Sequence, residues 1–198
     1  MPSQVDIVNH ALALLGEPKI TGLEEESEAA RTAKAVFGLT LEAELQANAW
    51  GFATKRAKIA AAAIPPEWGY DYSYPLPADC LTLQFVEGQQ YSQDLSVLTE
   101  GKERYRIEGQ SIVTDIEGPL QITYTVMVTD PNKWDAGFRF AMALKLADSM
   151  CIAITQNTTK KQFLAAQYED AIRRAMQRTA IQSPPTVPRT TSWLESRL

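Results

Sequence analysis

The chain has little of the residue types on which most metal and redox sites depend. Its 198 residues include one histidine, His10, and two cysteines, Cys80 and Cys151. No C-x-x-C pair occurs, so the spacing typical of zinc sites is absent. Two distant cysteines without a secretion-type N-terminus also argue against a disulfide framework. We expect both cysteines to be small buried residues and His10 to be a surface or packed side chain.

Long uncharged segments are missing as well. The longest spans residues 118–129, whereas a membrane-spanning helix needs about 18 residues. The remaining composition is ordinary, with 45% hydrophobic and 22% charged residues. We therefore expect a protein without a membrane span, built as one domain or as one domain with a large insertion.

Common catalytic motifs are not found. The sequence has no G-x-x-x-x-G-K-[ST] loop, no G-x-G-x-x-G turn and no G-x-S-x-G elbow. Paired carboxylates remain as candidates for glycan hydrolysis, either Glu67 with Asp71 or Asp79 beside a tyrosine-rich strand. Because the chain has 24 acidic residues, such pairs also arise by chance. A hydrolase is thus an alternative, and a non-enzymatic role is the main expectation.

Charge is distributed unevenly along the chain. Residues 1–50 and 51–135 each carry a net charge of −5, and residues 136–198 carry +5. The basic residues are spread out and lack interleaved aromatic residues. This pattern fits a contact with another protein better than nucleic-acid binding.

Helical periodicity marks both ends of the chain. It predicts a helix over 4–15 capped by Ser3, a second over about 28–49, and two more between 138 and about 180. The last two are separated by a break at Asn157-Thr158, and Thr159 with Gln162 predicts a capping box for the final helix. Such a short break favours an antiparallel helical hairpin.

Period-two alternation marks the middle of the chain. It predicts strands around Tyr72 and Leu83, a hairpin with a tight turn at Gly109-Gln110, and a strand over 120–128. We therefore predict an α+β fold: an antiparallel bundle of about four helices with an inserted small antiparallel β-sheet or sandwich. The predicted parts are N-terminal helices (1–50), a β domain (51–129), a helical hairpin (130–182) and an extended arm (183–198).

Two further features allow two interpretations each. An acidic cluster surrounds Ser27 at the start of the second helix: Glu24, Glu25, Glu26 and Glu28. It either stabilises the helix N-terminus or faces a partner. The proline-rich tail either binds another surface as a flexible arm or packs on its own domain. The arm residues singled out for binding are Pro188, Arg189, Trp193, Leu194, Arg197 and Leu198.

The order and spacing of several segments resemble a known family, the tail tubular protein A of short-tailed bacteriophages. The segments are Ala11-Leu12-Ala13-Leu14-Leu15-Gly16, Ile20-Thr21-Gly22-Leu23-Glu24-Glu25, Glu28-Ala29-Ala30-Arg31, Trp50-Gly51-Phe52-Ala53, Lys55-Arg56-Ala57, Tyr74-Pro75-Leu76-Pro77-Ala78-Asp79-Cys80-Leu81, Tyr105-Arg106-Ile107-Glu108-Gly109, Ile112-Val113-Thr114-Asp115, and Val128-Thr129-Asp130-Pro131 through Trp134-Asp135 to Phe138. The resemblance extends from about residue 4 to about residue 178. Gly51 departs from it, since the family more often has Asn there, and the tail after Ala180 has no match.

The resemblance implies a structural virion protein without a cofactor, located at the junction of head and tail and assembled in the host cytoplasm. It implies a ring of about twelve copies that docks under the portal protein and receives the tail nozzle protein. DNA would pass through the lumen without sequence-specific binding. A ring needs two different complementary surfaces on each copy. We hypothesise that the acidic cluster contacts Arg173, Arg174 or Arg178 of the neighbouring copy.

Overall fold

Four helices and six strands form the described part of the chain, residues 1–86 and 105–182 of a computed structural model. The helices are α1 (Gln4–Leu15), α2 (Glu28–Ala47), α3 (Ala136–Thr155) and α4 (Thr158–Gln182). The strands are β1 (Thr54–Ile59), β2 (Tyr72–Pro75), β3 (Cys80–Val86), β4 (Tyr105–Glu108), β5 (Ser111–Thr114) and β6 (Leu120–Val126). They form two small antiparallel three-stranded sheets, so the predicted α+β class is confirmed.

The chain divides into two compact units. The first, called here the helical unit, comprises residues 1–55, 79–84 and 124–182 and so contains all four helices. The second comprises residues 56–78 and the described part of 85–123. The division falls within β1, β3 and β6.

Local capping signals fix the limits of α1. The Ser3 hydroxyl accepts a hydrogen bond from the Asp6 amide at 3.1 Å, and the Asp6 carboxylate accepts one from the Ser3 amide at 2.8 Å. The Ser3 hydroxyl also donates to the Asp6 carboxylate at 2.8 Å, and the two hydrogen bonds that Ser3 donates to this carboxylate lower the pKa of Asp6. The helix ends at Gly16, whose φ of 79° suits a residue without Cβ. The predicted helix over 4–15 is confirmed.

The α3–α4 hairpin is confirmed, but the predicted capping box is wrong. Helix α4 already begins at Thr158, and the Asn157 side chain accepts a hydrogen bond from the Lys160 amide at 2.9 Å. Gln156 ends α3 with a left-handed φ of 51°. Only Gln156 and Asn157 separate the two helices. Asn157 therefore takes the cap position of α4, and Thr159 lies inside that helix.

The core of the helical unit is rich in aromatic side chains. The Phe138 ring lies 4.8 Å from Trp50, 5.0 Å from Phe52 and 5.3 Å from Trp134, measured between ring centroids. Leu12, Leu41, Leu45, Leu144, Leu146 and Met150 are completely or almost completely buried around them. The indole N–H of Trp50 donates to the Glu44 backbone carbonyl at 2.9 Å, so the turn after α2 is bonded back to that helix.

The β4–β5 hairpin belongs to the second unit and has the predicted turn. Glu108 pairs with Ser111, and Gly109 adopts a φ of 60°, which a side chain would disfavour. Strand β2 pairs antiparallel with the other edge of β5. The other sheet has the order β1–β6–β3. Tyr74 on β2 is fully buried, and its hydroxyl donates to the Ile116 carbonyl at 2.8 Å.

The proposed arm at 183–198 lies outside the described residues, and with it Pro188, Arg189, Trp193, Leu194, Arg197 and Leu198. Within residues 1–86 and 105–182, no helix combines the length and the hydropathy that crossing a membrane requires.

Candidate protein-binding surfaces of the helical unit

Of the four glutamates at the start of α2, one forms hydrogen bonds within the chain and three are exposed. One carboxylate oxygen of Glu25 accepts hydrogen bonds from the Thr21 amide at 2.8 Å and the Thr21 hydroxyl at 3.0 Å, which lowers the pKa of Glu25. Ser27, rather than a glutamate, caps the helix by accepting from the Ala30 amide. Glu24, Glu26 and Glu28 are exposed.

Glu24 forms an ion pair with Lys34 at 2.5 Å, although both side chains are more than half exposed. An ion pair in that position contributes little to folding stability because water and salt screen it. Its carboxylate therefore remains accessible to a partner. We define Glu24, Glu26 and Glu28 as the acidic surface.

The predicted basic residues of α4 do not share one face. Arg174 and Arg178 are one helical turn apart and line a groove between α3 and α4, whereas Arg173 does not line it. The groove has a volume of about 400 Å³. Its lining residues are Gly137, Phe140, Gln167, Asp170, Ala171, Arg174, Ala175 and Arg178. We call it the α3–α4 groove.

Small residues bring the two helices close together at this groove. A Cβ added to Gly137 would lie 3.1 Å from the Ala175 Cβ. Phe140 remains 47% exposed in the groove, with the His10 ring packed against it at 5.6 Å. The groove thus combines a non-polar base with arginine side chains, which is a common composition for protein-binding sites.

Two carboxylates lie near the arginines. Asp170 pairs with Arg174 at 2.5 Å, with 53% and 76% of the side chains exposed. Asp135 lines a smaller pocket that it shares with Arg178. The Asp170 pair lies within one helix and is accessible to solvent, so a carboxylate from another molecule can also reach Arg174.

Sequence reasoning missed a buried carboxylate, Glu44, and its two partly buried partners in the same unit. The Glu44 carboxylate accepts a 2.6 Å hydrogen bond from the Tyr168 hydroxyl and lies 3.7 Å from the Lys145 ammonium group. The Lys145 nitrogen also lies 4.5 Å from the centroid of the Tyr168 ring. Glu44 follows Leu41 by three positions on the buried stripe of α2. A glutamate at a buried position of a helical pattern was the sequence feature that could have revealed this site.

The carboxylates proposed for hydrolysis have ordinary surroundings. Asp79 accepts hydrogen bonds from Lys55 at 2.7 Å and from Tyr124 at 3.1 Å, and the Lys55 bond lowers the pKa of Asp79. Glu67 and Asp71 are exposed. A general acid needs a carboxyl group with a raised pKa, which is the opposite of the change at Asp79.

The two cysteines differ in burial. Cys151 is completely buried, as expected, while Cys80 is only partly buried, and this partial burial raises its pKa. In the described part of the chain, no group of three or more His, Cys, Asp and Glu side chains is placed to hold a metal ion.

Comparisons with known proteins give no assignment. No protein-family model matches the sequence, and no curated protein matches it.

Proposed function

We propose that this chain is a ring-forming adaptor of a short-tailed bacteriophage, which joins the portal to the tail nozzle and extends the DNA channel. The observation that carries the proposal is the ordered series of segments, from about residue 4 to about residue 178, that resembles the tail tubular protein A family. Each segment alone is weak, and their shared order and spacing give the argument its weight.

The architecture supports the same role. The resemblance implies a helical bundle carrying a smaller β domain, and the chain has four helices and two small sheets. The acidic surface and the arginines of the α3–α4 groove are exposed. Exposed charges of opposite sign suit contacts between polypeptides.

The hydrolase alternative receives no support from Asp79. The Lys55 ammonium group favours the ionised carboxylate, so Asp79 is a poor proton donor to a leaving group. We therefore propose a structural protein without a cofactor, with the portal protein, the nozzle protein and further copies of itself as partners.

The test is the mass of the purified chain with and without portal rings encoded in the same phage genome. We expect the chain to add about twelve copies to each portal ring and to leave a ring-shaped density below it in negative-stain images. Failure of the chain to associate with the portal rings at any concentration tested would contradict the adaptor role.

A truncated variant lacking residues 193–198 examines the arm hypothesis in the same experiment. If the arm binds the portal, the truncation weakens portal association and leaves the melting temperature unchanged. An equal loss of melting temperature would instead favour a terminus that packs on its own domain.

A further inference from the structure

The acidic surface and the α3–α4 groove lie at opposite ends of the helical unit. Trp50, just after α2, packs on Phe138 near the start of α3, so these two helices run antiparallel. The start of α3 contacts the end of α4 at Gly137 and Ala175, so α4 runs antiparallel to α3 and in the same direction as α2.

The separation follows from the helical rise. Glu44 on α2 is level with Tyr168 on α4, because their side chains are hydrogen bonded. Glu28 lies sixteen residues before Glu44, and Arg174 lies six residues beyond Tyr168 in the same direction. At about 1.5 Å per residue, the acidic surface and the groove arginines are about 30 Å apart. They cannot pair within one molecule.

The two surfaces are complementary in charge. Between residues 17 and 28 the chain has five glutamates and one lysine. The charged residues that line the groove are Arg174, Arg178 and Asp170, so the groove keeps a net positive charge even with Asp170 paired to Arg174. Arg174 and Arg178 flank a concave, partly non-polar surface. Glu24 and Glu26 of the acidic surface belong to the short segment that precedes α2, and Glu28 is the first residue of that helix. The segment offers carboxylates to a groove that offers guanidinium groups, which bind carboxylates well.

We propose that the α3–α4 groove receives the acidic surface of a second copy of this chain, with Glu24 and Glu26 contacting Arg174 and Arg178. The proposal rests on the ring-forming role above and names its subunit contact. Since the two surfaces differ and lie at opposite ends, each copy uses one surface toward each neighbour. Such a head-to-tail contact repeats, and it closes into a ring when the rotation between copies allows it.

Arg173 is excluded from this contact, which sharpens the earlier hypothesis. It is exposed on α4 next to Arg174 but does not line the groove. Glu25 is excluded as well, because its carboxylate is bonded to Thr21. Both residues therefore provide positions near the contact that should not affect it.

The test uses charge reversal in the full-length chain. The first variant carries Arg174→Glu and Arg178→Glu, the second carries Glu24→Lys and Glu26→Lys, and the third carries all four changes. Self-association is measured by analytical ultracentrifugation at about 50 mM salt, where exposed charges are weakly screened. We expect each double variant to associate at least about tenfold more weakly than the unmodified chain, because like charges then face each other.

Restoration of binding is the decisive result. The quadruple variant should associate again, because its basic surface then faces an acidic groove. An equal mixture of the two double variants should also associate, because each surface of one variant is opposite in charge to the complementary surface of the other. The matched control is Arg173→Glu, which changes the same helix without changing the groove. A loss caused by Arg173→Glu as large as that caused by the double variant would overturn the proposal, and so would failure of both restorations.

The outcomes separate this contact from the adaptor role. Portal binding that is insensitive to all four changes, with no self-association of the unmodified chain, would overturn the contact and leave the adaptor role standing. Self-association that follows the charge pattern, without any portal binding, would support the contact and contradict the adaptor role. The melting temperature of each variant shows whether it is folded.

Discussion

At the scale of single residues, Glu44 is a buried carboxylate that has polar partners on both α3 and α4. Its side chain is 6% exposed and close to Lys145, and its carboxylate depends on the Tyr168 hydroxyl for a short hydrogen bond. Burial, and then the bond to Glu44, raise the pKa of Tyr168. The hydroxyl consequently stays protonated and remains a donor throughout the physiological pH range.

Tyr168→Phe should lower the free energy of unfolding by about 1.5–3 kcal/mol, because it removes a hydrogen bond to a buried charge and leaves the carboxylate less satisfied. Urea denaturation followed by circular dichroism measures the change. Tyr124→Phe is the matched control, since its partner Asp79 is 45% exposed and keeps its bond to Lys55. We expect the control to lose only about 0.5–1 kcal/mol. Equal losses in the two variants would show that burial of Glu44 is unimportant.

At the scale of secondary structure, sequence patterns predict where helices lie better than they predict how the helices pack on one another. Ser3 with Asp6 marked the start of α1 correctly, since a capping signal acts over three residues and is legible in the sequence. The start of α4 was misplaced because Asn157 and Thr159 are both suitable caps, and the choice depends on where α3 ends. The α3–α4 groove was not predicted, as it depends on the distance between two helices that Gly137 and Ala175 allow.

The cap of α4 can be tested directly. Asn157→Ala removes the acceptor for the Lys160 amide and should lower the free energy of unfolding by about 1 kcal/mol. Thr159→Ala, inside the first turn, should change it by less than about 0.5 kcal/mol. Thermal or urea denaturation of the two variants distinguishes them. A larger effect at Thr159 than at Asn157 would restore the original capping-box prediction.

At the scale of the whole molecule, the net charge of −5 bears on the proposed DNA channel. A ring whose subunits repel phosphate lets a duplex slide, whereas a ring lined by lysine and arginine retains it through release of counterions. The basic residues with a structural role in the proposed ring, Arg174 and Arg178, are used between copies. They are then unavailable to the phosphate backbone.

Portal complexes assembled with this chain should therefore bind duplex DNA no more tightly than portal complexes without it. Fluorescence anisotropy of a labelled random-sequence duplex, measured between about 50 and 200 mM salt, tests this comparison. The expected result is that addition of the chain changes neither the affinity nor its dependence on salt. A gain in affinity that falls steeply as salt is raised would reveal several new phosphate contacts, and a repelling channel would then be contradicted even if the ring itself forms.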